Sequence, residues 1–307
     1  MTHRAVIVGV NDYTAQTSLP PGWSVSNLNR SLDDADAMNT LLSQSFNATV
    51  IASLTDGSAT RDAIYAAIRN LLAQSDAGDV ATFFFSGHGG RLPADDSNPQ
   101  RYYECFIPAS GAPITDLDLH ALADSLQPSF VNFTVILDSC NSGGIHEGTP
   151  DEPVKSATYS ADVVRSCVST MSTIVPCGVL IDPGSTAFDG NVSHVVGQGN
   201  GVVCSVDDNK ALVAGSKSCV VAACRYDESA WEADTHSALT QALVNVVAAS
   251  GADISYLDLI DKLRDEVQNQ LGRSQTPTLL GQQNRMDENF LAGWNTSKPE
   301  QFDYAAT

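Results

Sequence analysis

Basic side chains are scarce in this chain of 307 residues. There are 16 Lys and Arg against 36 Asp and Glu, a formal charge of 16 − 36 = −20. Nucleic acids and anionic membranes need a cationic face, so neither is expected as a partner. No apolar run approaches the roughly 20 residues that span a bilayer. The opening MTHRAVIVGVND holds a short apolar run ending in Asn11-Asp12 and lacks a small-residue cleavage site, so it reads as a strand and not a signal peptide. Paired C-x2-C spacing is missing around Cys167/Cys177 and Cys219/Cys224, which argues against zinc. His146-Glu147 lacks the second His of a zincin. A G-x-S-x-G elbow is absent, which disfavours a serine hydrolase. Gly197-Gln198-Gly199 neither follows a strand nor opens a helix, which excludes a dinucleotide loop. No internal repeat is visible.

Seven cysteines are an odd number in a chain too large to need disulfide staples. Cys105, Cys204, Cys219 and Cys224 sit in apolar or β-like runs, as small buried hydrophobes do. A reducing compartment, the cytoplasm, is expected. The N-x-S/T triplets at Asn47, Asn132, Asn191 and Asn295 are only a weak counter-argument, since such triplets arise by chance.

Apolar residues make up 43%, enough for a sizeable core. Up to residue 145, strand and helix patterns alternate. Residues 4–10 (RAVIVGV), 48–54, 79–85 (DVATFFF), 103–107 and 131–137 (VNFTVIL) read as strands. Residues 28–46 carry Leu28, Leu32, Ala35, Met38, Leu41 and Leu42 at helical spacing. A second helix follows its cap Thr60, and residues 116–126 read as a third. Strands and helices alternating at this spacing predict right-handed βαβ units and an α/β fold with a mostly parallel central sheet flanked by helices.

Residues 146–217 differ, with Gly, Ser, Asp and Pro dominant and the loop-like VVGQGNG at 195–201. They read as a long, partly ordered connection, unusual enough to suggest function. Regular structure resumes at 218–224 (SCVVAAC), a fifth sheet strand, followed by helices over 235–249 and 255–271, the latter with a Ser255/Asp258 capping box. Residues 276–293 read as turn-rich and polar.

In open parallel sheets, sites lie outside the carboxyl ends of the strands. Two strands end there in conspicuous peptides, Ser86-Gly87-His88-Gly89-Gly90 and Asp138-Ser139-Cys140-Asn141-Ser142-Gly143-Gly144. A thiol needs a nearby imidazole to attack a carbonyl. Flanking glycines let backbone amides, those of Gly89 and Cys140, reach a substrate oxyanion. A buried Cys and a core His would explain either peptide alone. Two glycine-bracketed peptides at matching strand ends favour catalysis.

SGHGG followed by DSCNSGG resembles the caspase–metacaspase clan of cysteine peptidases. It is most similar to type I metacaspases and metacaspase-like (orthocaspase-type) proteins without a prodomain. Asn141 stands where that family usually has His, and the caspase-type Q-A-C-R-G context is absent. AVIVGVNDY, residues 28–38 (LNRSLDDADAM), 114–118, 223–233 (ACRYDESAWEA) and 276–281 (TPTLLG) are similar to further family segments. The resemblance covers nearly the whole chain. It implies a single caspase-like domain over 1–307, with 1–145 as the large-subunit-like part, 146–217 as the connection and 218–307 as the small-subunit-like part. No prodomain is expected before the first strand.

By the same resemblance, Cys140 is the nucleophile and His88 the general base and acid. Asp34, Ser86 and Asp138 line an S1 pocket for a basic residue, a reading that fits the need of a guanidinium for carboxylate partners. The implied activity is a monomeric cysteine endopeptidase that cleaves peptides after Arg or Lys. Lys155 and Arg165 are its expected self-cleavage points. Two rivals stand beside it: a catalytically inactive caspase-like scaffold, and a peptidase for acidic P1 residues in which Arg30, close to Asp34, would hold the substrate. The ordinary alternatives are a solvated Asp34 in an acidic first turn and an Arg30 in a surface ion pair. Trp231 reads as core more readily than as a subsite wall. No cofactor is required. Calcium is the activator the resemblance raises, although residues 91–104 offer only Asp95, Asp96 and Glu104, too few oxygens for a tight site.

Overall fold

The computed structural model describes residues 1–20, 22–93, 102–139, 192–197, 201–206, 218–225, 228–233, 235–299 and 304–306. In chain order the strands are β1 (His3–Gly9), β2 (Thr49–Thr55), β3 (Val80–Ser86), β4 (Gly89–Pro93), β5 (Tyr102–Phe106), β6 (Ile114–Thr115), β7 (Asn132–Asp138), β8 (Val192–Gly197), β9 (Gly201–Val206), β10 (Cys219–Ala222), β11 (Thr278–Gln282) and β12 (Tyr304–Ala306). The helices are α1 (Ser31–Ser45), α2 (Arg61–Ala73), α3 (Asp116–Leu126), α4 (Ala238–Ser250) and α5 (Tyr256–Asp265).

A seven-stranded sheet has the order β12-β11-β10-β7-β3-β1-β2. Neighbours from β2 to β10 pair in parallel, and β11 and β12 add antiparallel pairs at one edge. This is the α/β fold with a mostly parallel central sheet that the strand–helix alternation predicts. Residues before and after the long connection share one sheet, because β10 pairs with β7 from Cys219↔Thr134 to Ala222↔Leu137.

The sheet is a middle layer, and its strands alternate their apolar residues between two cores. Ala5, Ile7, Phe84 and Ile136 face α1, α4 and α5 through Met38, Leu42, Leu239, Leu243 and Leu259. Val6, Val8, Phe83, Phe85 and Val135 face α2 and α3 through Ile64, Ile68, Leu71, Leu119 and Leu122. With both faces covered, these strands read as continuous apolar runs, as buried parallel strands do.

The helix starts follow capping chemistry. Thr60 accepts from the Ala63 amide at 3.2 Å, Thr115 and Asp118 form a capping box, and Ser255 accepts from the Asp258 amide at 3.0 Å. No helix among the described residues is long and apolar enough to cross a membrane.

Two expectations are corrected. Residues 276–293 are not all turn, because β11 is a strand of the main sheet. Leu279 joins one core and Leu280 the other, so this short strand has no alternating polar face to betray it. Its Gly281 is required by packing, since a Cβ there would lie 2.7 Å from Cys219 Sγ. The VVGQGNG stretch is not a plain loop: residues 195–197 belong to β8 and residue 201 to β9, two β-branched strands that pair antiparallel. Strands β4 and β5, the latter close to the expected 103–107 strand, build a small antiparallel sheet with β6.

Candidate active site

The connection from β1 leads through α1 to the sheet edge at β2, while β3 lies on the other side of β1 and continues toward β7. Helices α1 and α2 cover opposite faces. The carboxyl ends of β1 and β3 therefore flank a switch point, the place where open α/β sheets leave a crevice for chemistry. The sequence places His88 beside it.

His88 is fully buried and held on several sides. The Gly87 amide donates to the Asp138 carbonyl at 3.3 Å, which ties the ends of β3 and β7 together. A side chain at Gly87 would lie 2.6 Å from the Tyr13 hydroxyl, so only glycine lets that hydroxyl in. The Tyr13 oxygen accepts the His88 amide at 2.8 Å and donates to the Ile107 carbonyl at 3.2 Å. The Ile107 amide donates back to the His88 carbonyl at 2.9 Å. Tyr13 is thus spliced into the first rung of the β4–β5 hairpin. Burial raises its phenol far above the ordinary range, so it stays a neutral hydrogen-bonding group.

The imidazole packs against the Tyr13 ring, centroids 4.8 Å apart, and its Nε2 lies 2.7 Å from the Ser26 carbonyl. A carbonyl only accepts. Nε2 therefore carries a proton in both charge states, and Nδ1 is the nitrogen that gains or loses one. The β4–β5 ladder orients the next residue. Hydrogen-bonded and non-hydrogen-bonded pairs alternate in such ladders. His88 and Ile107 form a hydrogen-bonded rung, so Gly89, opposite Phe106, turns its amide away from β5.

Asp34, Ser86 and Asp138 come together at the carboxyl ends of β3 and β7. Ser86 and Asp138 are register partners at the ends of β3 and β7, and Asp34 projects from the first turn of α1. Ser86 Oγ donates to Asp34 Oδ2 at 2.6 Å. All three are fully buried, which removes the solvated alternative for Asp34. Both acids bind the start of α4. Asp34 accepts the Ser237 amide at 2.7 Å and the Ser237 hydroxyl at 2.5 Å, and Asp138 accepts the Thr240 amide at 2.9 Å and hydroxyl at 2.7 Å. Ser237 stands at the N-cap of α4 but makes no cap bond of its own. The two carboxylates satisfy the opening amides instead, where the helix dipole favours anions. His236 Nδ1 lies 3.8 Å from Asp34 Oδ1.

Beyond β7 the described residues reach Ser139, which is 1% exposed. Cys140, Asp95, Asp96, His146, Glu147, Lys155 and Arg165 lie outside the described residues. Three other thiols are described, and all are buried. Burial pushes Cys219 up to about 12 and lifts Cys105 well above the ordinary thiol range, with Asp116 adding to the latter, so both are inert. The side chain of Cys204 lies outside the described residues, as do Cys167 and Cys177.

A family model described as the caspase domain matches residues 2–287. The chain belongs to the caspase-domain family. Among its relatives, Arabidopsis thaliana metacaspase-4 is 31% identical over 172 residues, 53% of this chain and 38% of that protein. Arabidopsis metacaspase-7 is 27% identical over 227 residues, 67% of this chain and 53% of that one. Metacaspase-2 of Trypanosoma brucei brucei is 36% identical over 90 residues, covering 28% and 26%. The chain thus spans about half or less of the length of these curated relatives. A solved structure of a Geobacter sulfurreducens protein matches with a TM-score of 0.66 at 19% identity, over 96% of this chain and 100% of that one, and shares its fold.

The remaining candidates of this caspase-domain chain sort by environment. Arg30 pairs with Asp33 at 3.3 Å on the surface and is not drawn toward Asp34. Trp231 is half-buried, with the Arg273 guanidinium 5.9 Å from its ring centre, so it is not a core tryptophan. Glu104 is buried, and among the described residues no group of three or more His, Cys, Asp or Glu could hold a metal ion. The described donors do not fit calcium. A groove of about 710 Å³ between α1 and α4 is bordered by Arg30, Asp36, Leu41, His236 and Val244, without His88 or Asp138. Sequence reading missed Tyr13, Ser26, Ser237 and Thr240. Each acts through a hydroxyl or a carbonyl, and no spacing rule announces that.

Proposed function

We propose that this chain is a cysteine endopeptidase that cleaves after Arg or Lys with a Cys140–His88 dyad. The observation that carries the reading is the fixed imidazole: Nε2 is tied to the Ser26 carbonyl at the end of β3, one strand from the β7 end that leads into Cys140. Cys140 Sγ–H gives its proton to His88 Nδ1, and the thiolate attacks the peptide carbonyl carbon. The amides of Gly89 and Cys140 receive the oxyanion. His88 then returns the proton to the leaving amine, which departs and leaves a thioester. Water, deprotonated by His88, releases the acid and restores the thiol. Asp34 and Asp138 give the S1 region its negative field, and Ser86 presents Asp34 to a cationic P1 side chain. Self-cleavage at Lys155 or Arg165 belongs to the same reading.

Fluorogenic peptides with Arg, Lys or Asp at P1 test it, with wild type, Cys140→Ala and Asp34→Ala, each with and without calcium. Cys140-dependent cleavage of the Arg and Lys peptides is expected. Selective cleavage of the Asp peptide overturns the pocket assignment, and no Cys140-dependent cleavage of any peptide favours a scaffold. Mass spectrometry of wild type and Cys140→Ala checks self-cleavage. An intact wild-type chain under cleaving conditions removes it.

A further inference from the structure

Glu232 is among the buried acids that the mechanism leaves without a role. It is 6% exposed and lies in the connection before α4, far in sequence from the catalytic peptides. Its Oε1 accepts the Asn29 amide at 2.9 Å and the Arg30 amide at 2.7 Å, and the Asn29 side-chain amide reaches Oε2 at 3.5 Å. These bonds cross 203 and 202 residues of chain. Burying a carboxylate is costly unless donors satisfy it, and backbone amides at a helix start do so with charge-assisted bonds.

The segment that Glu232 grips is the one that orients the imidazole. Ser26, whose carbonyl takes the His88 Nε2 proton, precedes Asn29 by three residues. The same stretch is fastened from the β1 side. Asn11 accepts the Leu28 amide on its carbonyl at 2.9 Å and the Ser31 amide on Oδ1 at 2.8 Å, while Asn27 Oδ1 accepts the Tyr13 amide at 2.9 Å. Glu232 supplies the clamp from the opposite side. It also pairs across a single β-bridge with Ser237, and the Ala233 amide closes the turn on the His236 carbonyl at 2.8 Å. One short turn therefore holds the His88 backstop at one end and Asp34 at the other.

We propose that Glu232 is a positioning residue for His88. By fixing the Asn29–Arg30 backbone it fixes the Ser26 carbonyl, which keeps the proton on Nε2 and leaves Nδ1 as the basic nitrogen. The proposal rests on the reading of His88 as the proton carrier of Cys140. If Glu232 merely caps α1, its loss lowers stability and leaves the imidazole as it was.

The test uses the full chain labelled with ¹⁵N-histidine. There are six histidines, and the His88 resonances are assigned with His88→Ala. Wild type is expected to show the neutral His88 ring as the Nε2–H tautomer. Glu232→Ala and Glu232→Asp, which withdraws the carboxylate, should show mixed tautomers and a displaced His88 titration. In both, kcat for an Arg peptide should fall roughly ten- to a hundredfold, the scale on which outer partners of a functional imidazole act, with KM little changed. Glu232→Gln keeps an amide oxygen for both N–H groups and should restore most of the rate. A folded Glu232→Asp protein with wild-type His88 tautomer and titration overturns the proposal, and so does a Glu232→Gln no better than the Asp variant. The NMR arm needs no turnover. A wild type that cleaves nothing sinks the peptidase reading separately.

Discussion

The two ends of the central sheet are built from the same side chains and are put to different ends. At the amino edge, His3 bonds Thr82 at 2.8 Å and the Phe46 carbonyl at 3.3 Å, Asp79 pairs with Arg4 at 3.2 Å, and the Tyr256 hydroxyl meets Thr134 and Asn132. At the carboxyl edge stand His88, Asp34, Asp138 and the Tyr13 hydroxyl. Both ends hold a buried histidine, buried carboxylates and a buried tyrosine. The difference lies in the partners. His3 is engaged at both ring nitrogens by strand and helix ends, so the ring is locked and neutral. His88 is fixed at Nε2 by a carbonyl from a loop, beside a glycine that admits Tyr13 and one strand from the peptide holding Cys140. In the proposed mechanism His88 serves as the proton carrier because a carbonyl holds Nε2 while Nδ1 takes up and releases the proton.

Exchanging the two histidines is the most severe test of that contrast. His88→Ala should lower kcat by roughly 10²–10⁴-fold, the usual contribution of a positioned acid–base group, and should also cost about 1–3 kcal/mol of stability because it strands the Ser26 carbonyl. His3→Ala should leave kcat near wild type and cost about 1–3 kcal/mol in urea unfolding, because it strands the Thr82 hydroxyl and the Phe46 carbonyl. Equal effects on rate would break the distinction.

The carboxylates give the next test. Asp34→Asn should remove about 2–5 kcal/mol of transition-state binding for Arg and Lys peptides, as loss of one member of a buried charge pair does. Its amide oxygen can still accept the Ser237 amide, so the α4 start should survive, and kcat/KM against P1 identity separates the two roles. Asp79→Asn should act on stability alone. Burial by itself would raise the Asp79 pKa, but the Thr2 and Asp76 amides and the Arg4 guanidinium outweigh it and hold the carboxyl below its ordinary range. A depressed carboxylate stabilises the fold above its unfolded value near pH 4 and loses that contribution as pH falls further. Asp79→Asn should flatten the acid end of the stability curve.

Much of this contrast could be read from sequence, and the reason is chemical. DVATFFF-SGHGG and VNFTVIL-DSC announce their strands by β-branched and aromatic runs, and glycines mark the places where backbone must approach closely. The parallel core and the helix starts after Thr60 and Ser255 were accessible for that reason, while the grouping of Asp34, Ser86 and Asp138 came only from the family resemblance. What stayed hidden depends on contacts that carry no local pattern. β11 has only five residues and apolar side chains on both faces. Ser26 acts through its carbonyl, which every residue possesses. Ser237, Thr240 and Glu232 reach the site across 102 to 203 residues of sequence.

A subtler test lies in how the amino edge responds to pH. Burial, opposed by the Phe46 carbonyl, lowers the His3 pKa from the usual 6.5 to about 4. The unfolded chain then binds the proton first. Stability due to His3 is complete above pH about 6.5 and is lost as pH falls toward about 4, a change of roughly 3 kcal/mol at one proton per unit. Urea midpoints between pH 7 and 4 should fall in wild type and flatten in His3→Gln, with kcat unaffected. An unchanged slope in His3→Gln would remove the locked, neutral ring from the comparison.

Arg30 should show the smallest effect, and it bears on substrate charge. It sits within one turn of Asp34, the position from which a guanidinium could hold an acidic P1 residue. Its partner is Asp33, at 3.3 Å with both side chains substantially exposed. Such pairs contribute about 0–1 kcal/mol, and salt screens them. Its backbone amide, the part that meets Glu232, survives any side-chain change. Arg30→Ala should therefore shift the unfolding midpoint marginally, less still in high salt, and leave the ranking of Arg, Lys and Asp peptides untouched. If the variant lost cleavage after Asp instead, the guanidinium would be a substrate ligand, and the carboxyl edge would owe its selectivity to a cation at its rim instead of the two acids beneath it.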